Sequence, residues 1–320
     1  MEGLKYGGLK IPTLPYLWGL KNSCYMKQTR TMILGAMMLL FAQGLLAQSD
    51  FTYGFKAGLN FSSLTGPLEE DGAGMTVEEF DQTTGFHVAA LFNYRITDAF
   101  RFRTELMFSQ KGLRYRYDGD SFLDLTSNGG DLIPTTGNRK VTLNVTNSYI
   151  DIPISVVIRP LEWLEFSAGP SVGFLVSSSA AGELIYSGES FTGSPVEEFS
   201  VTLDYNFVSD QDGEANFNNS TEITVDGKSV TIPSSFGAYY DFTREEGNFY
   251  NVLDIGLNAG IHLYLNGSLF VAGRLNYGLM DATNNNYDFS LVSLDEDGNR
   301  IPRADTDRNL SFQASVGFSF

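Results

Sequence analysis

The last eleven residues, Leu310 to Phe320, change character at every step. Leu310, Phe312, Ala314, Val316, Phe318 and Phe320 fall on one side, and Ser311, Gln313, Ser315, Gly317 and Ser319 on the other. Successive side chains of a strand point to opposite faces, so this segment offers oil to one medium and small polar groups to another. Few arrangements accept a terminal strand of that kind.

Seven further stretches repeat the period, at roughly 52–62, 85–96, 99–112, 141–159, 162–176, 249–265 and 268–279, with the terminal one at 308–320. One face carries residues such as Phe55, Leu59, Val88, Phe92, Leu106, Ile152, Ile154, Phe166, Leu257 and Leu275. The other carries Lys56, Asn60, Asn93, Arg101, Arg103, Glu105, Asp151, Glu165, Asp254, Asn258 and Arg274, with many glycines. Charges of both signs cannot fill an ordinary sandwich core, because an unpaired buried charge costs several kcal/mol. They suit the interior of a narrow barrel, where they pair, while the apolar face meets lipid.

Connection lengths point the same way. Tight turns are expected at Thr97-Asp98, Pro160-Leu161 and Asn266-Gly267, and long segments elsewhere, including one between the third and fourth strands. Alternating short and long connections, an even strand count and a terminal aromatic are the outer-membrane pattern. The expected fold is all-β: an eight-stranded antiparallel up-and-down transmembrane barrel with long extracellular loops, its last strand closing against its first. Closure removes the free edges that hydrocarbon does not tolerate.

The chain of 320 residues carries a net charge of −17 and no basic footprint, which argues against nucleic acid as a partner. Its single cysteine, Cys24, excludes an intrachain disulfide framework. Residues 26–47 read as a signal peptide: Lys27 and Arg30, an apolar run over 32–46, then Ala47-Gln48 as a cleavage site. Residues 1–25 have no export logic and read as an upstream start-site over-call, with Met26 as the start; 48–320 is the barrel domain. Acidic residues crowd the segments 63–83, 177–247 and 280–307, an expected external crown suited to cations or basic partners. The long segment 177–247 is expected to carry its own β-structure. Asp226-Gly227 between Ile223-Thr224-Val225 and Lys228–Ile232 is a two-residue hairpin signal, Val201–Tyr205 a further strand, and Asp295–Gly298 a weaker hairpin. The wall then continues above the membrane as a β-rich cap.

The chain resembles the PorT-type outer-membrane β-barrel family of Bacteroidetes-like bacteria. The likeness rests on the leader ending Ala47-Gln48, the opening Gly54-Phe55-Lys56-Ala57-Gly58-Leu59-Asn60-Phe61-Ser62, Tyr149-Ile150-Asp151-Ile152-Pro153-Ile154, the Ala-Gly pairs at 168–169, 259–260 and 272–273, and the terminal Gly317-Phe318-Ser319-Phe320. It covers essentially all of 48–320. The resemblance implies a porin-like protein of the Gram-negative cell outer membrane, exported through the inner membrane, with Phe318 and Phe320 read by the barrel insertion machinery. It also implies a role as an accessory of type IX protein secretion for some members.

Chemistry-bearing residues are sparse. His87 and His262 are expected inside the lumen, without a Gly-x-Ser-x-Gly motif, so an enzyme is not expected. Asp210-x-Asp212-Gly213 and Asp295–Asn299 lack the full calcium-loop spacing and read first as turns. No catalytic, cofactor-binding or metal-ligating residue is assigned, and no cofactor is expected. Tyr115, Tyr117, Tyr149, Tyr277 and Phe61 read as an interfacial girdle. Pro153 is expected to mark a bulge or register irregularity in the fourth strand, and Gly58, Gly169 and Gly260 to make room for lumen side chains. The expected function is a non-enzymatic anchor in outer-membrane lipid whose acidic loops bind an extracellular or secretion-system partner. The alternatives are a secretion accessory and a narrow channel for small solutes.

Overall fold

Where the alternation is strongest, the chain pairs with itself around a closed circuit. The computed structural model describes residues 50–242 and 248–320; the expected leader 26–47, the upstream residues 1–25 and Cys24 lie outside the described residues. Thr52–Phe320 form one compact unit.

Every regular element among the described residues is a strand. The chain runs through β1 (Phe51–Thr65), a short β2 (Glu78–Asp81), β3 (Thr83–Arg95), β4 (Phe100–Thr126), β5 (Leu132–Leu161) and β6 (Leu164–Ser190). There follow β7 (Pro195–Asn206), β8 (Ala215–Asn216), β9 (Thr221–Val225), β10 (Lys228–Ile232) and β11 (Ser235–Phe236). The chain ends with β12 (Leu253–Tyr264), β13 (Leu269–Gly278), β14 (Phe289–Leu294), β15 (Arg300–Pro302) and β16 (Arg308–Ser319).

Eight of these, β1, β3, β4, β5, β6, β12, β13 and β16, form a ring in chain order. β6 pairs with β12, and β16 returns to β1 with Gly54 opposite Ser319 and Thr65 opposite Arg308. Closure of the last expected strand on the first is therefore present. Tyr53, Phe55, Phe318 and Phe320 cluster at the seam, with ring centroids 5.7–5.9 Å apart.

The outward face is apolar and exposed, as in Phe55, Leu106, Val156, Leu257 and Val316, while Lys56, Arg103, Glu105, Glu165 and Arg274 are buried inside. Three charged clusters fill the lumen. Glu105 bridges Lys56 at 2.9 Å and both terminal guanidinium nitrogens, Nη1 and Nη2, of Arg274. Glu165 takes Arg101 at 3.0 Å and Arg103 at 2.7 Å. Lys111 sits 3.1 Å from both Asp151 and Asp254, its ammonium 4.5 Å from the centroid of the Tyr149 ring. Pairing with both partners present is what makes such burial tolerable.

Several expectations need correction. The segment between the third and fourth strands is no loop: β4 and β5 stay paired from Phe100↔Ile158 to Thr126↔Leu132, and only 127–131 connect them. The inward residues beyond position 112 become apolar, so the alternation continues with its polarity reversed. Pro153 keeps register with Ser171; the β5–β6 shifts lie instead at Ser148/Tyr149 and Ile158/Leu161. A Cβ at Gly58 or Gly169 would meet the backbone oxygen of Ala314 or Ile154, so these glycines admit the neighbouring strand rather than lumen side chains. Tyr117 and Tyr149 are buried and Tyr115 faces the cap interior; of the five proposed girdle aromatics, only Tyr277 is widely exposed.

The expected hairpins are present. β9 and β10 pair around Asp226 (φ 53°) and Gly227 (φ 71°), both left-handed, which is why an Asp-Gly dipeptide suits the turn. β7 lies against β6, and β14 against β15.

Candidate functional site

Above the charged lumen the extended strands enclose a different interior. On β4, β5 and β6 the inward row moves from Lys111, Asn147 and Ser178 to Leu113, Val145 and Ala180, two residues further along paired strands. From there Leu143, Leu184, Val201, Leu203, Phe207, Phe236 and Tyr250 join one buried apolar cluster. Such burial contributes on the order of 25 cal/mol per Å² of apolar surface, which is what holds a cap built from long connections together.

That cluster does not close completely. It surrounds a cavity of about 250 Å³. Its walls are mostly apolar: Leu113, Leu143, Val145 and Leu184 from the strand extensions, Leu203 and Phe207 from β7 and its end, and Phe236, Tyr240 and Phe249 from the segment crossing over them. A polar end is formed by Glu78, Asp288, Arg303 and Asp307, and Arg139 and Arg300 also line the cavity. Phe207, Phe249 and Tyr250 pack edge and face at 5.1–5.2 Å, which fixes that wall. Arg303 organises the polar end, donating to Glu78 at 3.1 Å, Asp305 at 2.8 Å and the Pro67 carbonyl at 3.0 Å. Burial, reinforced by the neighbouring Asp305 carboxylate, pushes Asp288 up to about 8 despite Arg303. Burial and Asp305 likewise push Asp307 up to about 7.

The two histidines lie below, apart from the cavity. His87 Nδ1 is 2.7 Å from Asn60 Oδ1 and its Nε2 is 2.8 Å from Ser315 Oγ. This is a serine–histidine–asparagine relay in outline, but His87, Asn60 and Ser315 are all buried, so a substrate carbonyl has no approach to the hydroxyl. His262 lies 3.0 Å from an Arg103 nitrogen and packs at a tilt against Phe270, with ring centroids 5.1 Å apart. Both rings are packing members of the lumen. Asp210 accepts from the Asn206 and Ala238 amides, and Asp295 from those of Asp297 and Asn299, so both Asp-Gly motifs are turns.

Sequence reasoning assigned no group to Asp288, Asp305 and Asp307, whose carboxylates converge within 4.8 Å. Only the Asp305-x-Asp307 pair is local in the chain; Asp288 arrives across the β14–β15 hairpin.

Comparison with known families matches residues 41–284 to one described as "Outer membrane protein beta-barrel domain". No curated protein sequence matches. Among solved structures the chain is similar to the attachment invasion locus protein Ail of Yersinia pestis, at 10% identity and a TM-score of 0.32, covering 85% of this chain and 99% of that one. It is also similar to the outer membrane protein OprG of Pseudomonas aeruginosa (9% identity, TM-score 0.26, 84% and 95% covered). A third is the outer membrane protease OmpT of Escherichia coli (8% identity, TM-score 0.29, 86% and 97% covered).

Proposed function

Because the chain belongs to the outer membrane protein β-barrel domain family, which places it in the outer membrane, we propose that its ring of strands is an eight-stranded transmembrane barrel anchoring an extracellular binding cap. The cap takes a small, mostly apolar molecule, and the protein is not an enzyme. The observation that carries this reading is the cavity itself: apolar walls, a few charged groups at one end, and a position above the charged lumen. Interlocked ion pairs across the lumen support an anchor over a solute channel, since an eight-stranded wall encloses little more than its own side chains. The role of secretion accessory draws only on the PorT-type motifs.

In this reading the short turns face the periplasm, a leader ending at Ala47-Gln48 directs export, and Phe320 at the seam is the handle for the insertion machinery. The acidic outer surface of the cap faces the medium and sets which partners can approach.

Protein purified into lipid nanodiscs tests the proposal by displacement of a fluorescent apolar probe. Wild type binds the probe saturably, and Leu143→Trp, which fills the cavity, abolishes binding while keeping the heat-modifiable gel mobility of a folded wall. Absence of saturable binding in wild type, or undiminished binding by Leu143→Trp, defeats it. Ion conductance in planar bilayers at high salt would reinstate the channel.

A further inference from the structure

The connection between β13 and β16 crosses the polar end of the cavity with more negative charge than its side chains can neutralise. Asp288, Asp305 and Asp307 each bring a carboxylate oxygen within 4.8 Å of the other two. Glu78 adjoins them through Arg303. Arg303 is the cation in their midst, and its donors are already directed to Glu78, Asp305 and the Pro67 carbonyl; it reaches Asp288 only at 3.9 Å.

A second observation is independent of the crowding. Asp307 is only 5% exposed, yet its Oδ1 is buried with no hydrogen-bond partner among the described residues, and Asp305 Oδ1 shares that condition. An orphaned carboxylate oxygen in a buried place carries the full cost of lost hydration. Room is kept for it: a Cβ at Gly66 would fall on Asp307 Oδ1.

We propose that Asp288, Asp305 and Asp307 bind one divalent cation, calcium, which ties the two arms of the β14–β15 hairpin together at the mouth of the cap. The donor set is all oxygen and includes neither histidine nor cysteine, which disfavours zinc. Carboxylates from separated loop positions suit the larger, geometrically tolerant calcium ion better than magnesium, which demands a near-ideal octahedron. Water would complete the six to eight oxygens that calcium takes. The cation would satisfy the two orphaned oxygens and leave Arg303 with Glu78. Tyr287, Asp288 and Phe289 on one arm and Arg303 on the other line the cavity, so bound calcium would also steady its mouth.

The test is calcium titration of the full protein in nanodiscs after EDTA treatment, by isothermal calorimetry, with terbium luminescence sensitised by Tyr287 as a second readout. Wild type should saturate with a Kd below about 1 mM, the range of extracellular calcium modules. Asp305→Asn and Asp307→Asn should each weaken binding about tenfold or more, while Asp210→Asn and Asp295→Asn, at turns outside the cluster, should not change it. Terbium luminescence should be quenched by added calcium. Silence of wild type in both readouts, or full affinity in Asp305→Asn, overturns the site. This result is read without the apolar probe, so failure of the cavity's ligand and failure of the cation site are distinguishable.

Discussion

Lumen and cap share three strands, β4, β5 and β6, and are filled in opposite senses. Below the turnover, Phe108, Ile150 and Phe174 form an outward row on β4, β5 and β6, with charged groups such as Lys111 and Asp151 inside. Above it, Arg114, Asn144 and Ala181 form the outward row, and Leu113, Val145 and Ala180 face in. On β4 and β5 the period of two runs on unbroken, and on β6 it resets at the register shift opposite Ser148/Tyr149; the sense of the filling changes with the medium outside. Where the outside is hydrocarbon, apolar side chains face it and the polar ones must satisfy each other in the interior. Where the outside is water, the usual order returns and the interior is oil. The lumen is therefore held by specific pairs and the cap by area.

The contrast can be broken at its most committed point first. Glu105 is buried and contacts both Lys56 and Arg274. Glu105→Gln leaves two buried cations short of a counter-charge and should destabilise the wall by about 3–5 kcal/mol. Urea unfolding in vesicles, followed by loss of heat-modifiable mobility, measures it; a change under about 1 kcal/mol would mean that the lumen is more hydrated than its burial indicates.

In the cap the comparable substitution removes area. Leu203 is 2% exposed within the apolar cluster, and Leu203→Ala should cost about 2–5 kcal/mol. The loss should remain local: limited proteolysis within 177–247 should quicken while the wall keeps its unfolding midpoint. If the wall weakens equally, cap and wall form one cooperative unit and the division drawn above fails.

The legibility of the sequence follows the same division. Eight wall strands, their closure, the inward charges and the Asp226-Gly227 hairpin were readable because each depends on local alternation or turn chemistry. The strand extensions were not, because their outward row turns polar at Arg114, Arg116 and Asp118, so no apolar outward face marks them. Their partners, Leu113, Tyr115 and Tyr117, keep the period with the opposite sense. Tyr149 was misplaced for a related reason: it lies at the turnover, where an inward aromatic covers Lys111. Asp288, Asp305 and Asp307 were invisible as a group because a hairpin brings them together, and no spacing in the chain records that.

Moving along one strand on one face sharpens the comparison. Ile154 points outward from β5 within the apolar belt and is exposed. Ile154→Arg should cost about 2–4 kcal/mol, the penalty of a guanidinium near the bilayer midplane on a barrel's lipid face. Unfolding from vesicles measures it, and an effect below about 1 kcal/mol would move this position toward the interface.

Thr142 lies on that same outward face twelve residues earlier, exposed on the extension of β5 between Arg116 and Glu183 on the neighbouring strands. An arginine there meets one like and one opposite charge, both in water. Thr142→Arg should therefore change stability by no more than about 0.5 kcal/mol. The two arginines differ only in the medium their face meets, so the difference between them locates the boundary. A penalty at 142 matching that at 154 would put lipid against the cap, and its apolar interior would then need another explanation.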